Sequence, residues 1–336
     1  MVVTFELGII YHYCISNQPA VENTVLPKFD KREPSEVILM AVGDIMLSRH
    51  VEEKMFEAQD YTLPFSQTGE LLSAANLTIG NLESPFYNHG PRVVEGMVFK
   101  AEPEAIEGLK KAGFDVLSLA NNHTMNQGTK GLEYTLDYLK ENNIFSVGAG
   151  IDFEQAHQPV IIQSGDLIFG FLAYSYADYH DSLDQKYVVS GLNINQAQKD
   201  IETLNKEVDV VVVQMHAGEE YVNLPNQQQE NFARAAIEVG ADLVIGHHPH
   251  WPQIIEEYQG KWIFYSLGNF VFDQEWSQET KEGLILEATW QERELKELEL
   301  LPVIIENYST PRLADKEESE QILKKIGLEK AVVFSQ

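Results

Sequence analysis

The chain alternates short apolar runs with amphipathic stretches, and polar turns separate the two. Continuous apolar runs predict strands that are covered on both faces, because such strands meet no solvent. These runs are residues 37–42, 77–79, 115–120, 145–147, 167–174, 208–215, 242–245 and 262–267. Apolar residues at helical spacing and related signals predict helices at 103–112, 129–142, 195–206 and 227–239. The alternation of strands with helices predicts an α/β fold.

The C-terminal part of the chain carries a different pattern. Residues 283–289 and 295–305 alternate like two strands of a hairpin. Residues 317–326 predict a terminal helix whose charged side chains face water. We therefore expect one domain over 37–310, followed by a C-terminal helix and tail over 311–336.

Residues 1–36 predict an N-terminal tail or linker. The segment 5–14 is mildly apolar, but it is too short to span a bilayer and lacks the basic region of a signal peptide. Two interpretations stay open: the remnant of an export or anchor segment, or a disordered or loosely docked tail. Cys14 is the single cysteine, so no intrachain disulfide can form.

Polar side chains follow the predicted strands at their carboxyl ends. Ligands of open α/β sheets bind at this edge, because a crevice opens outside the strand ends. The residues placed there are Asp44, Glu83, Asn122, His123, His216, His248, His250 and Asn269. We expect these side chains, which come from separate strands, to converge on one polar cleft.

Three of these histidines predict a nitrogen-rich metal site. Neutral imidazole is a common ligand of Zn, Mn and Fe. Pro249 favours an extended backbone at His248, and an extended segment points the rings of His248 and His250 to the same side. His216 would join them from the preceding strand. The alternative is that they are loop histidines that cap a helix, and His247 is expected to point away from its neighbours.

Asp44, Glu83 and Asn122 are the candidate oxygen ligands. Asp44 follows a glycine at a strand end, which favours close approach to an ion, although a turn or a helix cap is the alternative. Glu83 is either a carboxylate ligand or a surface acid. The amide oxygen of Asn122 suits a hard cation, and otherwise it caps a helix. His123 is a candidate general acid or oxyanion-binding group.

Four residues are candidates for contact with a substrate. The guanidinium of Arg49 suits a phosphate or a carboxylate, and a solvated salt bridge is the even alternative. Asn269 either donates to the substrate or caps a turn. Glu220 and Tyr221 follow His216, where they are expected to orient the ligands or to face the substrate.

The charge balance narrows the range of partners. Lys and Arg number 24, Asp and Glu number 52, and the net charge is −28. So acidic a chain is not expected to bind nucleic acid or an anionic membrane. The sequence contains no phosphate-binding loop, no dinucleotide fingerprint and no serine nucleophile elbow. Neither a nucleotide-binding fold nor a serine hydrolase is therefore indicated.

Six motifs, in order over residues 37–305, resemble the CapA-type family, which is linked to poly-γ-glutamate capsule synthesis. They are Gly-Asp-Ile-Met-Leu-Ser-Arg (43–49), Asn-Leu-Glu-Ser-Pro (81–85), Leu-Ala-Asn-Asn-His (119–123), His-Ala-Gly-Glu-Glu-Tyr (216–221), Gly-His-His-Pro-His (246–250) and Ser-Leu-Gly-Asn-Phe-Val-Phe-Asp (266–273). That family is similar to the calcineurin-like metallophosphoesterases. The resemblance implies a four-layer α/β/β/α sandwich that holds metal between two sheets.

The resemblance also implies roles for single residues. The positions that match the metal ligands of those enzymes are Asp44, Asn122, His216, His248 and His250. His123 matches their catalytic histidine. Three positions depart from the metallophosphoesterase or CapA pattern. Met46 stands where a histidine ligand is expected, Asn81 replaces the bridging aspartate, and Asn126 stands where the CapA family often has aspartate. The losses of a ligand at Met46 and at Asn81 both weaken a two-metal site. A single ion, or a different arrangement of ions, is therefore an alternative.

The implied function is synthesis, export or anchoring of poly-γ-glutamate or a related envelope polymer, by metal-assisted hydrolysis or transfer. A non-catalytic subunit of a synthase complex and a general metal-dependent phosphoesterase are the alternatives. The expected cofactor is a divalent ion (Mn, Zn, Fe or Ca), and the expected partners are an anionic polymer or small anionic substrate and membrane-bound synthase subunits. The expected location is the cell envelope outside the cytoplasm, with an N-terminal anchor, and the cytoplasm is the alternative.

Overall fold

The computed structural model describes residues 36–177 and 185–328, together with the backbone of 334–335. The predictions for the N-terminal tail and for Cys14 lie outside these residues. Within the described ranges, no helix has the length and apolar character that a bilayer crossing requires.

The elements follow the predicted alternation of strands and helices. The strands are β1 (Val37–Ile45), β2 (Leu77–Leu82), β3 (Val116–Ser118), β4 (Phe145–Val147), β5 (Ala149–Asp152), β6 (Val160–Ser164), β7 (Leu167–Ser175), β8 (Lys186–Val189), β9 (Val210–His216), β10 (Leu243–His247), β11 (Ile255–Tyr258), β12 (Lys261–Phe264), β13 (Asn269–Val271), β14 (Glu282–Gln291), β15 (Glu294–Glu306), β16 (Thr310–Leu313) and β17 (Phe334–Ser335). The helices are α1 (Arg49–Ala58), α2 (Gly69–Ser73), α3 (Ile106–Lys111), α4 (Gly128–Glu141), α5 (Phe153–His157), α6 (Ile194–Leu204), α7 (Gln227–Glu238) and α8 (Lys316–Lys325).

Two large sheets form the centre of the fold. The first has the order β16-β15-β14-β1-β2-β3-β4, and β13 pairs with the carboxyl end of β1. Its strands β1 to β4 are parallel, whereas β14 to β16 form an antiparallel meander beside β1. The second has the order β11-β12-β10-β9-β7-β6, with β7, β9, β10 and β12 parallel. In both sheets the central parallel strands bring their carboxyl ends to one edge.

Alternate residues of β9 show how the layers stack. Val210 and Val212 belong to the apolar cluster that includes the first sheet. Val211 and Val213 belong to a second cluster, which includes residues of α6 and α7. Because successive side chains of a strand point to opposite faces, the second sheet lies between the first sheet and these helices. The predicted four-layer α/β/β/α sandwich is confirmed.

Backbone segments lie unusually close together at the edge where the carboxyl ends of the strands meet. A Cβ atom on Gly43 would lie 1.9 Å from the carbonyl oxygen of Gly268, so no larger residue fits there. The next residue, Asp44, donates its backbone N–H to the same carbonyl at 3.0 Å. A Cβ on Gly246 would likewise lie 1.9 Å from the carbonyl oxygen of Tyr265. Because these two glycines lack a Cβ atom, neighbouring backbone segments can pack directly against each other at the polar edge.

Several details differ from the sequence-based expectation. The strand predicted over 262–267 ends at Phe264, because a turn carries the chain into β13. In that turn Gly268 has a φ of 72° and donates its N–H to Ser266 Oγ at 3.1 Å. The ribbon of β5 and β8 was not predicted, since half of each short strand is exposed and shows no continuous apolar run. The C-terminal helix was predicted to within a residue, and it packs through Ile322 and Leu323 into the main core.

Candidate metal centre

The predicted site residues meet at the common carboxyl edge of the two sheets. The first sheet provides them from β1, from the turn after β2 and from the loop after β3, and the second provides them from β9 and from the loop after β10. Seven of them are buried: Asp44, Glu83, His123, His216, His248, His250 and Asn269. Asn122 is partly buried beside them. The predicted convergence of strand ends on one polar cluster is therefore observed.

Asp44 is the residue that connects the two sheets. Its Oδ1 accepts a hydrogen bond from Asn81 Nδ2 at 2.8 Å, and its Oδ2 accepts one from the backbone N–H of His248 at 3.1 Å. Burial alone would raise the pKa of Asp44, but hydrogen bonds and charges from His247 and His250 hold it well below its usual value. The buried carboxylate is thus kept ionised.

Glu83 lies at the centre of the cluster and lacks the partners that a buried carboxylate needs. It is fully buried, and among the described residues neither of its oxygens has a hydrogen-bond partner. Its nearest ionisable contact is His123, whose Nε2 lies 3.6 Å from Oε1. Burial, together with the charges of Asp44 and Glu220, raises the pKa of Glu83 well above its usual value. An unpaired carboxylate in such a place is costly unless a cation or a proton accompanies it.

The ligand atoms of the cluster are close enough to hold a divalent ion. Within the described part of the chain, three overlapping groups have their ligand atoms within 4.8 Å of one another. They are Glu83 with His216 and His248, Asp44 with Glu83 and His250, and Glu220 with His248 and His250. Glu83 belongs to two of these groups, so its two oxygens are placed to serve one ion or to bridge two.

Unpaired donor atoms show that a cation fits this place. Besides the two oxygens of Glu83, the buried Nδ1 of His248 has no hydrogen-bond partner in the part of the chain that the structure describes. Burial lowers the pKa of His248 to about 3, so its imidazole is neutral near pH 7 and offers a lone pair. Buried polar atoms are nearly always paired, and these are arranged around one point. A bound divalent ion would satisfy them.

His216 enters the cluster from the last position of β9. Its Nδ1 lies 3.2 Å from Asn81 Nδ2, and its Nε2 lies 2.9 Å from Asn122 Oδ1. Burial lowers the pKa of His216 well below its usual value, so the ring is neutral. Since the Asn81 amide can only donate, His216 carries its proton on Nε2 and donates it to Asn122. An ion at this ring would replace one of these two hydrogen bonds.

The loop of His248 and His250 has a different backbone from the one expected. The prediction of an extended segment is wrong, because φ is 98° at His248 and 59° at His250. Residues other than glycine rarely adopt this left-handed region, and such strain is concentrated at functional sites. The two rings nevertheless face the same cluster, with centroids 6.0 Å apart. Both rings are delivered by a strained turn around Pro249.

Asn269 orients His250. Its Oδ1 lies 2.9 Å from His250 Nδ1, and its Nδ2 donates to the carbonyl of Thr280 at 2.9 Å and to Gln274 Oε1 at 3.2 Å. Since the Nδ2 bonds fix the direction of the amide, His250 carries its proton on Nδ1 and leaves Nε2 for a ligand. Asn269 is fully buried, so this placement favours orienting His250 over the predicted contact with substrate.

His123 faces Glu83 with its unprotonated nitrogen. Asn126 Oδ1 accepts the backbone N–H of Phe99 at 2.6 Å and lies 2.9 Å from His123 Nδ1. This arrangement places the ring proton on Nδ1. Stacked 4.0 Å from Phe99, the ring is buried, and burial lowers the pKa of His123 to about 4. To serve as the predicted acid, His123 must first receive a proton at Nε2, and the Glu83 carboxyl is the group beside that atom.

Arg49 lines a cleft next to the cluster. Its Nη2 forms an ion pair with Asp273, its Nη1 donates to the carbonyl of Gly96 at 2.8 Å, and its guanidinium lies 4.7 Å from the centroid of Phe99. The structure thus shows a salt bridge, but it is largely buried, whereas the predicted alternative was a solvated one. The clamp on a substrate anion stays a prediction, because a fixed carboxylate already neutralises this guanidinium.

Glu220 and Tyr221 border the cluster on the side of the cleft. The backbone N–H of Tyr221 donates to Pro249 O at 2.8 Å, and its hydroxyl accepts from Gln274 Nε2 at 3.2 Å. Its ring stacks on His250 with centroids 5.9 Å apart. Burial and the neighbouring charge of Glu220 raise the pKa of Tyr221 to about 12, so it remains a neutral phenol. Both residues lie beside the candidate ligands, and their contact with a substrate stays a prediction.

The two departures among the expected ligands have structural substitutes. Met46 is fully buried, and its sulfur accepts the backbone N–H of Ser48 at 3.2 Å. Asn81 donates to Asp44 and to His216, while its Oδ1 accepts from Asn121 Nδ2 at 3.1 Å. Neither residue presents a free ligand atom. The carboxylate of Glu83, two residues after Asn81, takes the central place instead.

Sequence reasoning missed two contributors to the site. His247 was expected to point away from its neighbours, and this is wrong: its ring is buried, with Nδ1 3.5 Å from Asp44 Oδ1 and Nε2 3.2 Å from Gln214 Oε1. The pairing of His247 with His216 in neighbouring strands gives the reason, because directly paired residues share a face. The second is Asp273, the partner of Arg49, which the last motif contains but which was given no role.

Comparison with known proteins supports a relationship to capsule synthesis. The family described as bacterial capsule synthesis protein PGA_cap matches residues 38–274. Capsule biosynthesis protein CapA of Bacillus anthracis is 33% identical over 289 residues, which are 83% of this chain and 70% of that protein. PGA biosynthesis protein CapA of Bacillus subtilis is 32% identical over 286 residues, which are 83% and 74% of the two chains.

The fold has a counterpart among solved structures. A phosphatase from Mycoplasma pneumoniae superposes with a TM-score of 0.52 over 87% of this chain and 99% of that one, at 12% sequence identity. Identity this low supports a common fold and carries no information about the reaction. The chain therefore shares its overall fold with that protein, in agreement with the layered architecture that the motifs implied.

Proposed function

Since the chain belongs to the PGA_cap family of bacterial capsule synthesis proteins, we propose that it is a metal-dependent hydrolase or transferase acting on an envelope polymer of the poly-γ-glutamate type. One observation carries the enzymatic part of this proposal. Glu83 is a fully buried carboxylate with no hydrogen-bond partner among the described residues, and it lies among neutral histidines. A protein that only binds a partner has no use for so costly an arrangement.

The donor set favours a particular class of ion. Imidazole nitrogens and single carboxylate oxygens suit Zn, Mn and Fe, whereas Ca prefers six or more oxygen ligands. Each group in the cluster contains at least one histidine, and two of the three contain two. We therefore propose Zn, Mn or Fe as the cofactor and place Ca last among the four expected ions.

The side chains around the proposed ion have distinct roles. A divalent ion bound there would supply Lewis-acid polarisation of a phosphoryl or carbonyl oxygen and a more acidic water. Asp44 and Glu83 balance its charge, and Asn269 keeps His250 in the tautomer that binds. His123 holds or moves a proton at Nε2, beside Glu83. Tyr221 covers the ring of His250 on the cleft side.

The proposed setting is the cell envelope. The Bacillus relatives are named for capsule and PGA biosynthesis, and capsule is an envelope polymer. We propose that the substrate is the anionic polymer or a small anionic precursor, and that membrane-bound synthase subunits are the partners. The net charge of −28 opposes binding of a polyanion to most of the surface, so we place this contact at the metal centre itself, where a bound cation would offset the repulsion.

Metal analysis tests the proposal directly. Protein purified without chelator should carry one or two divalent ions per chain, and the His248→Ala/His250→Ala double variant should carry far less. His89→Ala is the matched control, because His89 is exposed and lies outside the cluster. Equal metal content in the wild type and in the double variant would contradict the proposed centre.

A second measurement separates catalysis from a structural role. In a host that lacks its own copy of the protein, the wild type and the His89→Ala control should restore polymer formation, and the double variant should not. If the double variant lost its metal and still restored the polymer, the non-catalytic subunit would be the better description. Activity on simple phosphate esters with no effect on the polymer would favour a general phosphoesterase.

A further inference from the structure

An exposed tryptophan stands at the rim of the cleft beside the metal centre. The side chain of Trp276 is 60% exposed, although an indole gains most by burial. It meets the ring of Tyr221 edge to face, with centroids 4.6 Å apart and planes at 84°. Tyr221 is itself fixed through Pro249 and Gln274. The indole is therefore a supported, apolar surface open to a ligand.

The cleft below Trp276 is small. Its volume is about 290 Å³, which lies at the lower end of the range for ligand pockets. Val94 and Met97 line the same cleft and are 66% and 54% exposed. Arg49 also lines the cleft, and its Nη1 donates to the carbonyl of Gly96, which lies between Val94 and Met97 in the chain. The dimensions suit one small unit with an apolar face and do not suit a long stretch of polymer.

The charges of the cleft disfavour a carboxylate-rich occupant. The residues lining it include one guanidinium, that of Arg49, and two carboxylates, those of Glu95 and Asp273. Asp273 also forms the ion pair with Arg49, so the positive charge is already neutralised. A row of carboxylates would be repelled here, whereas an uncharged group would not.

The polar lining suits hydroxyl groups. His50 and Glu95 lie in the same cleft as Trp276, and both side chains carry hydrogen-bonding groups. A sugar ring has an apolar face of C–H groups for the indole and an edge of hydroxyls for such side chains. This combination suits a neutral sugar unit.

We propose that this cleft is a subsite for an uncharged sugar unit, stacked on Trp276. Tyr221 contacts Trp276 on one side and His250 on the other, so the sugar would lie one aromatic ring away from the metal centre. The inference rests on the proposed function for the identity of the reacting group. It specifies the substrate class as a junction between an anionic polymer and a glycan, which places the reaction at attachment or release of the polymer.

Calorimetric titration tests the subsite with defined probes. These are the β-1,4-linked tetramer of N-acetylglucosamine, cellotetraose and tetra-γ-glutamate. At least one of the two neutral sugars should bind the wild type, and tetra-γ-glutamate should not compete with it. Binding should weaken by about tenfold in Trp276→Ala and less in Trp276→Phe, which retains an aromatic face. Phe145→Ala is the matched control, because Phe145 is a similarly exposed aromatic residue on β4.

Three results would overturn the subsite: binding of neither sugar, equal sugar binding by Trp276→Ala and wild type, or competition by tetra-γ-glutamate. Binding to phosphatidylcholine vesicles that depends on Trp276, without sugar binding, would assign the surface to a membrane instead. The Glu83→Gln variant keeps the two proposals distinguishable, because it should lose metal and still bind sugar. Sugar binding by a wild type that holds no metal would contradict the proposed function and leave the subsite standing.

Discussion

The backbone N–H of His248 donates a hydrogen bond to Asp44 Oδ2 at 3.1 Å, and this contact joins the end of β10 to the end of β1. The two strands belong to different sheets, and the two residues are 204 positions apart in the chain. The cluster is thus built at the seam of the sandwich. A substitution that disturbs the packing of the two sheets should also disturb the metal centre. A substitution at the metal centre can leave the packing of the sheets intact.

Substitution of Gly43 by alanine tests this dependence. The new Cβ would meet the carbonyl of Gly268 at 1.9 Å and force β1 away from the turn before β13. We expect a loss of about 3 kcal/mol or more in the free energy of unfolding, together with loss of metal. Urea denaturation and metal analysis measure the two. Gly69→Ala is the control, because its Cβ would meet Phe65 at an ordinary 3.4 Å; equal stability of both variants would contradict the argument.

Neutralising Glu83 should separate stability from metal binding. Without metal, Glu83→Gln should be as stable as the wild type or more stable, because it removes a buried and unpaired carboxylate. The rise in unfolding temperature that added Zn or Mn gives the wild type should vanish in this variant. Thermal unfolding with and without metal measures both effects.

Glu287→Gln provides the matched control for that experiment. Burial and the facing carboxylate of Glu299 raise the pKa of Glu287, so its neutralisation should also stabilise the protein. It lies on β14, outside the groups that can hold an ion, so the response to metal should remain. A metal response that survives in Glu83→Gln would remove Glu83 from the centre.

Asn269→Ala tests a residue that positions a ligand without contacting the ion. Loss of the bond to His250 Nδ1 frees the ring to rotate and to change tautomer. Residues that hold a metal ligand in this way typically contribute a factor of about 10–100 in affinity. Competition with a coloured chelator should show such a loss, and Asn269→Asp, which keeps an acceptor oxygen, should recover part of it. Unchanged affinity in Asn269→Ala would mean that His250 is fixed by other contacts.

The stability of the metal-free protein should fall as the pH falls below about 6.5. Burial lowers the pKa of His248 to about 3 and that of His123 to about 4, whereas both titrate near 6.5 when unfolded. The unfolded chain therefore binds more protons than the fold between these values. The stability that neutral histidines contribute is complete above about pH 6.5 and is lost as the pH falls toward 4 and then 3.

Glu83 acts in the opposite direction, so the histidine effect is measured best without it. Its pKa is raised in the fold, so protonation of Glu83 relieves an unfavourable charge as the pH falls. In Glu83→Gln, unfolding temperatures in chelator should decline from pH 7 to pH 5, with a loss of stability of about 1.4 kcal/mol per pH unit for each of the two histidines once the pH is below about 6.5. A flat profile in that variant would show that the buried histidines are protonated in the fold.

The sequence predicted the composition of the site better than its local geometry. Asp44, Glu83 and His216 could be placed because each follows an apolar run, and parallel strands bring such positions to one edge. The left-handed backbone at His248 could not be predicted, because a proline after it normally favours an extended conformation. That local preference is overridden by hydrogen bonds to Asp44 and from Tyr221 to Pro249, which only the folded chain provides.

Pairing between distant residues was likewise hidden from the sequence. Asp273 and Arg49 are 224 positions apart, and nothing in either motif shows that they neutralise each other. For Glu83 the sequence left a carboxylate ligand and a surface acid as alternatives, and only the structure shows that both of its oxygens are buried and without a hydrogen-bond partner among the described residues. The fold class and the ends of the strands can be predicted from the periodicity of apolar residues. The ion-pair partner of a charged side chain and its burial depend on tertiary contacts.

The spread of the ligands along the chain also sets an order in time. Asp44 emerges early in synthesis, His250 emerges more than two hundred residues later, and Asn269 follows it. Contacts of such long range form late in folding, because the chain must lose the entropy of closing a large loop before the contact can stabilise the fold. No early fragment holds a complete set of candidate ligands. An ion bound at this cluster would therefore be acquired by the folded sandwich, from the supply that exists where folding ends.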